Sequence, residues 1–249
     1  MLDLKLITLN IWCGKLFDKL EPFIEKNRND TDIFCFQEVL DNEPGIKSAV
    51  FKDGTEDVFS RIGRILGDGF EGYSALPHPG ERGLATFVNK GWDILDKKEE
   101  YVLGKKNSMV DNKWSTLGIN VLYSKIGKGD QEYNIWTTHG IFINMDKNDT
   151  KETIEQSINL KSMMEKVDGK RILCGDLNLH PNTESIKIIE DIPMRNLVKE
   201  YGIKSTRTPY YGFPQPYADY IFTSYDIEVK EFAAMPDVVS DHLPLSVVC

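Results

Sequence analysis

Ile172-Leu173-Cys174-Gly175-Asp176-Leu177-Asn178-Leu179-His180-Pro181 is the stretch that says most about the fold. Its first four residues are apolar or small and carry no charge, which predicts a short buried strand ending at Gly175. Asp176 and Asn178 follow at once, and residues i and i+2 of an extended chain point to the same side. A carboxylate and a carboxamide therefore face one spot at the carboxyl end of a strand, where open sheets bind their ligands.

These two side chains suit either a chemical site or an ordinary turn. A carboxylate can bind a hard cation or take up a proton, and a carboxamide can donate to a phosphate oxygen. Asp and Asn after a strand also form Asx turns without any further role. The local sequence leaves both interpretations open, so the rest of the chain must distinguish them.

The length of 249 residues and the ordinary composition, 41% hydrophobic and 28% charged, favour a single domain over residues 1–249. The four cysteines show no CxxC spacing, and Cys35 and Cys174 lie in apolar runs, which indicates buried free thiols in a reducing compartment. Asp3 and Lys5 stand where a signal peptide would be apolar, and no run approaches membrane-spanning length. We therefore expect no membrane span and a cytoplasmic location.

The formal net charge of −9 argues against a broad basic surface for gripping duplex nucleic acid. It does not exclude a nucleic-acid substrate. A metal site requires clustered carboxylates, which make a chain acidic, and a bound metal can hold one phosphate without a basic stripe.

Hydrophobic periodicity predicts many strands and few long helices. Strands are predicted at 4–9, 32–37, 70–76, 84–89, 92–103, 115–124, 133–138, 172–175, 219–223 and 227–232, the last of these as a partner of 219–223, with a final strand ending at Val248. Helices are predicted at 16–28, around 58–66, at 150–167 with Thr150 as N-cap, and at 183–189. In the third helix we expect Ile154, Ile158, Met163 and Met164 to face the core. This pattern predicts two packed sheets flanked by helices.

Polar side chains stand at the ends of most of the predicted strands. They are Asn10, Glu38, His139, Asp176, Asn178, Asp219, Asp241 and His242. A lone strand-end carboxylate or a lone histidine has an ordinary explanation at the surface or in the core. The chain has only four histidines, however, and two of them belong to this set.

Six short stretches then appear in a recognisable order. They are Thr-Leu-Asn at 8–10, Phe-Gln-Glu-Val at 36–39, Thr-Thr-His at 137–139, Gly-Asp-Leu-Asn at 175–178, Asp-Tyr-Ile-Phe at 219–222 and Ser-Asp-His at 240–242. Together they resemble the endonuclease/exonuclease/phosphatase superfamily, which includes pancreatic-type deoxyribonucleases, abasic-site endonucleases, neutral sphingomyelinases and inositol polyphosphate 5-phosphatases. The resemblance implies an α/β (α+β) fold, a four-layer α/β/β/α sandwich with two packed mixed sheets, and a site at one edge of the facing sheets.

The resemblance also implies a metal site. Glu38 would be the main ligand of Mg²⁺, with Asn10 and Asp241 nearby and Mn²⁺ as a possible substitute; Mg²⁺ commonly takes one or two carboxylates plus substrate phosphate. Two positions depart from the family pattern. Trp12 stands where many nucleases of the family have a carboxylate, and Tyr217 stands where many members have an arginine. The first leaves metal binding to Glu38, and the second removes a charge near the site.

The same resemblance implies catalytic roles. His139 and Asn178 would hold phosphate oxygens, and Asp176 would orient or deprotonate the attacking water. Asp219 would fix the tautomer of His242 and favour its charged form. His242 would act as the general base or hold the phosphate as a cation, and the sequence leaves both roles open.

Substrate specificity is expected in the loop at 206–217, which carries Arg207, Tyr210, Tyr211 and Tyr217 as candidate substrate-binding residues. Its aromatic side chains could stack on bases or pack as an apolar lid. Weaker candidates for the rim, equally explained as solvated loops, are Lys105, Lys106, Lys113, Trp114, His78 and Arg82.

The sequence therefore predicts a Mg²⁺-dependent phosphodiester hydrolase acting on DNA or RNA. One alternative is a phosphatase or phosphodiesterase acting on a small-molecule or lipid-derived phosphate. Another is a non-catalytic binding protein with a vestigial site, although a chemically competent residue fills every expected catalytic position.

Overall fold

A computed structural model describes residues 3–41, 55, 57–77, 81–106 and 118–249. The strands are β1 Lys5–Asn10, β2 Ile33–Val39, β3 Phe70–Ala75, β4 Gly83–Asn89, β5 Asp93–Leu103, β6 Ile119–Lys128, β7 Gln131–His139, β8 Lys170–Asp176, β9 Met194–Asn196, β10 Asp219–Ser224, β11 Glu231–Ala234 and β12 Leu245–Val248. The α-helices are α1 Phe17–Asn27, α2 Val58–Leu66, α3 Lys151–Met164, α4 Glu184–Glu190 and α5 Leu197–Glu200.

Two six-stranded sheets form the centre of the molecule. The first has the order β11-β12-β1-β2-β4-β3, and the second has the order β5-β6-β7-β8-β10-β9. Each is mixed, because β1 and β2 are parallel in the first sheet and β7 and β8 are parallel in the second, whereas the flanking pairs are antiparallel. The predicted pair of mixed sheets is confirmed.

Alternation along β2 shows how the layers stack. Phe34 and Phe36 belong to the apolar cluster that includes residues of α1 and α2, whereas Ile33 and Cys35 belong to the cluster shared with the second sheet. Successive side chains of a strand point to opposite faces. The first sheet therefore has α1 and α2 on its outer face and the second sheet on its inner face. Residues of α3 and α4 join the cluster of the second sheet, which completes a four-layer α/β/β/α sandwich.

Helix α3 begins as predicted and buries Met164 as predicted, but it exposes Ile158. Thr150 and Thr153 form a capping box, each side chain accepting from the other's backbone N–H, so the predicted N-cap is confirmed. The core-facing side chains include Leu160 and Met164, whereas Ile158 is 51% exposed. The prediction for Ile158 was wrong because polar residues, Thr153, Gln156 and Ser157, occupy part of the buried face. The hydrophobic period of the helix therefore does not mark that face.

The strand predicted at 227–232 was assigned to the wrong sheet. β11 begins only at Glu231 and pairs with β12 in the first sheet. The actual neighbours of β10 are β8 and β9, and β9 is too short at three residues to show a strand pattern. Adjacency in sequence favours pairing in space but does not require it. The predicted loop at 41–56, apart from Asp41 and Thr55, and the first residues of the strand predicted at 115–124 lie outside the described residues.

All four cysteines are buried and free. Across the described ranges, no helix combines the length and the apolar character needed to cross a lipid bilayer.

Candidate active site

The register of the second sheet places three of the predicted site residues in a row. His139 at the end of β7 lies opposite Asp176 of β8, and Asp176 lies opposite Asp219 at the start of β10. In the facing sheet, Asn10 ends β1 beside the end of β2, where Glu38 stands. The chemical groups that the sequence places at separate strand ends therefore meet at one edge of the sandwich.

Glycine at position 175 allows this row to form. Gly175 has φ of 129°, and a Cβ atom on it would lie 2.1 Å from the carbonyl oxygen of Thr138 in β7. No side chain fits such a close approach, and no L-residue adopts that φ without strain. Gly175 thus lets β7 and β8 pair closely enough to bring His139 beside Asp176.

A β-bulge directs Glu38 into the same space. The pairing of β2 with β4 shifts register between Gln37 and Val39, and Glu38 between them has φ of 57°. A bulge inserts one residue and redirects its side chain. Glu38 is 7% exposed, and Nδ2 of Asn10 donates to its Oε1 at 3.2 Å.

Asp176 and Asn178 form both of the arrangements that the sequence left open. Oδ1 of Asp176 accepts from the backbone N–H of Asn178 at 2.8 Å, which is an Asx turn. Oδ2 of Asp176 accepts from Nδ2 of Asn10 at 3.0 Å and therefore faces the first sheet. The turn is what positions the second carboxylate oxygen towards the site.

His139 and Asn178 form a polar pair on one wall. Nδ2 of Asn178 lies 3.3 Å from Nε2 of His139 and donates to the carbonyl oxygen of Gly140 at 3.1 Å. Because the amide nitrogen only donates, Nε2 of His139 is the acceptor in this arrangement. Burial lowers the pKa of His139, with Asp176 opposing the shift, which agrees with a neutral ring.

His242 is held by Asp219 on one side and contacts Arg207 on the other. Its Nδ1 lies 2.8 Å from both carboxylate oxygens of Asp219, and Thr206 Oγ1 donates to Asp219 Oδ2 at 2.8 Å. Nη1 of Arg207 contacts Nε2 of His242, and a guanidinium only donates. This contact fits the neutral form of His242, with its proton on Nδ1 and a lone pair on Nε2.

The pKa of His242 shows that this ring can also be protonated. Burial lowers the pKa, but the carboxylates of Asp219 and Asp176 outweigh burial and raise it above its ordinary value. The contact with Arg207 fits the neutral ring, whereas the raised pKa favours the protonated ring. Nε2 accepts in the neutral state, and Arg207 must move aside when Nε2 takes up a proton.

The carboxylates of the cleft differ in how far their neighbours stabilise the charged form. Burial alone would raise the pKa of Glu38, but Arg82, His139 and His242 lower it to about 2, so Glu38 is ionised. The pKa of Asp241 is raised, first by burial and further by Glu38 and other carboxylates, although His242 and Arg207 oppose the shift. A bound cation would relieve the repulsion at Asp241.

The donor set fits a hard divalent cation, because carboxylate and carboxamide oxygens are the ligands such ions prefer. Glu38, Asn10 and Asp241 could hold one. A second arrangement is Asp176, Asp219 and His242, whose ligand atoms lie within 4.8 Å of one another. Existing contacts engage members of both sets, since Asp219 contacts His242 and Thr206, whereas Glu38 contacts Arg82 and Asn10.

Several of the polar side chains described above line a cleft of about 260 Å³. Its polar floor includes Glu38, His139, Asp176, Asn178, Asp241 and His242, and its walls include Trp12, Phe142, Met145, Tyr211 and Phe213, with Lys15, Arg82 and Arg207 among them. Phe142, Met145 and Phe213 are exposed large apolar side chains. A charged floor is thus surrounded by an apolar rim.

The structure divides the predicted substrate-binding residues into two groups. Arg207 and Tyr211 line the cleft, and the guanidinium carbon of Arg207 lies 3.9 Å from the centre of the Tyr211 ring. Tyr210 instead accepts from Lys19 at 2.6 Å and packs near Trp12. Tyr217 donates to the carbonyl oxygen of Ile203 and does not line the cleft.

Sequence reasoning underrated or missed several residues of the cleft. Arg82 was only a weak candidate, yet its Nη1 lies 2.7 Å from Oε1 of Glu38. The order of β2 and β4 in the sheet, which brings Arg82 there, has no local sequence signal. Phe142, Met145 and Lys147 come from the segment after β7, which has no repeating pattern. Among the other rim candidates, Lys106 pairs with Glu99, and His78, Lys113 and Trp114 lie outside the described residues.

Residues 7–242 match the model of the Endonuclease/Exonuclease/phosphatase family. The chain belongs to this family. Its members are hydrolases of phosphate esters, acting as nucleases or phosphatases, and they generally depend on a divalent metal. A comparison of the sequence with curated proteins found no match.

Solved structures agree with the family assignment at the level of the fold. An endonuclease/exonuclease/phosphatase family protein from Bacteroides thetaiotaomicron has 17% identity and a TM-score of 0.76, covering 99% of this chain and 94% of its own. A mannosyl-6-phosphatase from the same species has 16% identity and a TM-score of 0.76, with 99% of each chain covered. The catalytic domain of human Nocturnin with bound sulfate has 16% identity and a TM-score of 0.66, covering 99% and 93%.

Proposed function

We propose that this protein is a Mg²⁺-dependent phosphodiester hydrolase that acts on nucleic acid. The observation that carries the proposal is the Asp219–His242 pair, whose Nε2, contacted by Arg207, faces a cleft containing Asp176 and Asn178. Phosphodiester hydrolysis requires an activated water, charge stabilisation on the phosphate oxygens and a positioned substrate. The described residues offer a group for each requirement.

Glu38, with Asn10 and Asp241, would hold the metal, and Mn²⁺ could replace Mg²⁺ at such oxygen ligands. When bound, the ion would neutralise charge on the phosphate. The ionised state of Glu38 supports this assignment, since its pKa of about 2 keeps the carboxylate charged at neutral pH.

His242 and Asp176 would act on the attacking water. Nε2 of His242 lies 3.6 Å from Oδ2 of Asp176, so one water could contact both groups. The raised pKa of His242 suits it to accept the proton, and Asp219 would stabilise the resulting imidazolium. Before protonation the ring cannot donate from Nε2, which favours the general base over the cationic phosphate ligand as its first role.

Asn178 would donate to a phosphate oxygen from Nδ2. His139 could join it only with a proton on Nε2, because an unprotonated Nε2 accepts. Asp176 at 3.6 Å and Glu38 at 3.7 Å from that nitrogen would favour the protonated form as substrate binds.

The apolar rim supports a substrate with planar organic groups next to the phosphate. Tyr211 and Phe213 come from the loop at 206–217, and Phe142 and Met145 come from the segment after β7. Aromatic side chains beside a phosphate site can stack on unpaired bases. The acidic chain and this rim favour single-stranded over duplex nucleic acid.

A second candidate is a phosphatase or phosphodiesterase of a small-molecule or lipid-derived phosphate. The cleft of about 260 Å³ supports it, because a group of that size could be enclosed without a longer binding groove. A mannosyl-6-phosphatase shares the fold. A cytoplasmic location remains a prediction, based on the buried free cysteines.

A substrate panel tests the proposal. Single-stranded DNA and RNA, duplex DNA, an inositol phosphate, a hexose 6-phosphate and sphingomyelin are compared under the same Mg²⁺ concentration, with His242→Ala as the background control. We expect the highest kcat/KM on a single-stranded oligonucleotide. Preference for the hexose phosphate, the inositol phosphate or sphingomyelin would transfer the assignment to the second candidate, and no hydrolysis above background of any substrate would support the vestigial site.

A further inference from the structure

Lys147 is a buried lysine directly behind the phosphate-facing wall of the cleft. It is 1% exposed, has φ of 56°, and its carbonyl oxygen accepts from the backbone N–H of His180 at 2.9 Å. Its Nζ donates to Oδ1 of Asn178 at 3.2 Å. Within the described residues, this is the one hydrogen bond that its ammonium group makes, although an ammonium group has three donors.

Burying a charge without full pairing is costly, so packing alone does not explain this lysine. An apolar side chain of similar length would fill the same space at a lower cost. The positive φ is a further local cost for a residue other than glycine. Such costs concentrate where a group has a role at a binding site.

The chemistry of the two groups fixes how Asn178 is oriented. Lysine only donates hydrogen bonds, so Oδ1 of Asn178 must be the atom that faces Lys147. Nδ2 must then face the opposite way, towards His139 and Gly140, and Asn178 lines the cleft there. Lys147 and the Gly140 carbonyl hold this orientation together, and without Lys147 the carboxamide would turn over more readily and present an acceptor that repels a phosphate oxygen.

We propose that Lys147 is a positioning residue that holds the carboxamide of Asn178 with its donor towards the phosphate. It does not line the cleft and acts through Asn178 rather than by touching the substrate. The inference rests on the proposed function, because it assumes that a phosphate oxygen binds beside Nδ2. Its Nζ also lies 5.5 Å from the centre of the Tyr211 ring, so it supports one wall of the cleft as well.

The test compares Lys147→Met with Asn178→Ala and with the double variant. Methionine keeps the length of the side chain and removes the donor and the charge. Lys151→Met is the matched control, because Lys151 is an exposed lysine on α3 outside the cleft. The readouts are kcat/KM on bis(p-nitrophenyl) phosphate, affinity for inorganic phosphate with Mg²⁺ by calorimetry, and Tm.

We expect Lys147→Met to lower kcat/KM and phosphate affinity about tenfold or more, because a hydrogen bond to a charged group is lost. Tm should change little, because relief of the desolvation of the lysine opposes the loss of its attraction to Asp176, Asp219 and Asp241. In the Asn178→Ala background the same change should have almost no effect on kcat/KM, and Lys151→Met should match the wild type. Lys147→Gln, which can still donate to Oδ1, should recover part of the loss.

Three results would overturn the inference. They are unchanged kcat/KM and phosphate affinity in Lys147→Met, an equal loss in the presence and absence of Asn178, and an equal loss in Lys147→Met and Lys147→Gln. The side-chain NH₂ signals of Asn178, assigned by their absence in Asn178→Ala, give a readout without turnover. These signals should shift in Lys147→Met but not in Lys151→Met. If the wild type hydrolysed none of the substrates, the proposed function would be refuted, but this expected shift would be unaffected. Unshifted signals would reject the positioning role whatever the activity.

Discussion

Glu38 is the residue on which the metal assignment rests. It is buried and ionised, and it lies between Arg82 and Asn10. We expect Glu38→Gln to weaken Mg²⁺ binding and nearly abolish turnover, because a neutral amide loses the charge that a divalent cation requires. The fold should survive, since the Arg82 side chain is 32% exposed and can reach water.

The measurement is Mg²⁺ affinity by calorimetry together with kcat on bis(p-nitrophenyl) phosphate. Glu71→Gln serves as the control, because Glu71 is an exposed carboxylate outside the cleft. Wild-type turnover by Glu38→Gln at ordinary Mg²⁺ concentration would refute the assignment.

Asp219 and His242 should behave as one unit. Both oxygens of Asp219 lie 2.8 Å from Nδ1 of His242, so the effect of either residue on the rate depends on the other. Asp219→Asn, His242→Ala and the double variant are compared at one pH. We expect the double variant to be about as slow as His242→Ala, and additive losses would show that the pair does not cooperate.

Two segments of the chain form the rim of the cleft. The loop at 206–217 and the segment after β7 each present exposed apolar side chains, including Phe213 and Phe142. If they stack on bases, Phe213→Ala with Phe142→Ala should raise KM for a single-stranded oligonucleotide about tenfold or more, because stacking is worth about 1–3 kcal/mol per base. Hydrolysis of bis(p-nitrophenyl) phosphate should change much less.

Tyr210→Ala is the matched control, because Tyr210 lies in the same loop but does not line the cleft. Equal losses on both substrates in the double variant would indicate an apolar lid over the phosphate site. They would favour a small-molecule or lipid-derived substrate.

Elements whose signal is local were predictable from the sequence. The strand before Asp176, the N-cap at Thr150 and the helix α1 each have a hydrophobic period or a capping residue within a few positions. The strands that pair with β10 could not be predicted in this way, because strand pairing depends on contacts between residues far apart in sequence. The site follows the same rule: residues at strand ends were predictable, whereas Arg82 and Lys147 reach it from irregular segments.

The buried carboxylates make the free energy of unfolding of the whole molecule depend on pH. The folded state lowers the pKa of Glu38 from its ordinary 4.5 to about 2, and it also lowers the pKa of Asp176. A carboxyl group whose pKa is lower in the folded state stabilises the fold at any pH above its pKa in the unfolded chain. This contribution is lost as pH falls through the pKa of the folded state. We expect the free energy of unfolding to fall between about pH 5 and pH 2.

Denaturant unfolding at several pH values measures this slope. Glu38→Gln should show a shallower decline than the wild type, because one of the linked groups no longer titrates. His242 has the opposite effect on the pH dependence of stability, because folding raises its pKa above the value of 6.5 expected in the unfolded chain. Its contribution to stability is complete below pH 6.5 and is lost as pH rises through the pKa of the folded state. Identical acid slopes in the wild type and Glu38→Gln would contradict this account.

The central claim is that the cleft is a metal-dependent phosphodiesterase centre. The most direct measurement is the rate of bis(p-nitrophenyl) phosphate hydrolysis by the wild type with Mg²⁺, after EDTA, and after Mg²⁺ is restored, with His242→Ala in parallel. We expect turnover that stops with EDTA, returns with Mg²⁺ and is nearly lost in His242→Ala. Turnover that persists in EDTA, or that His242→Ala retains in full, would contradict it.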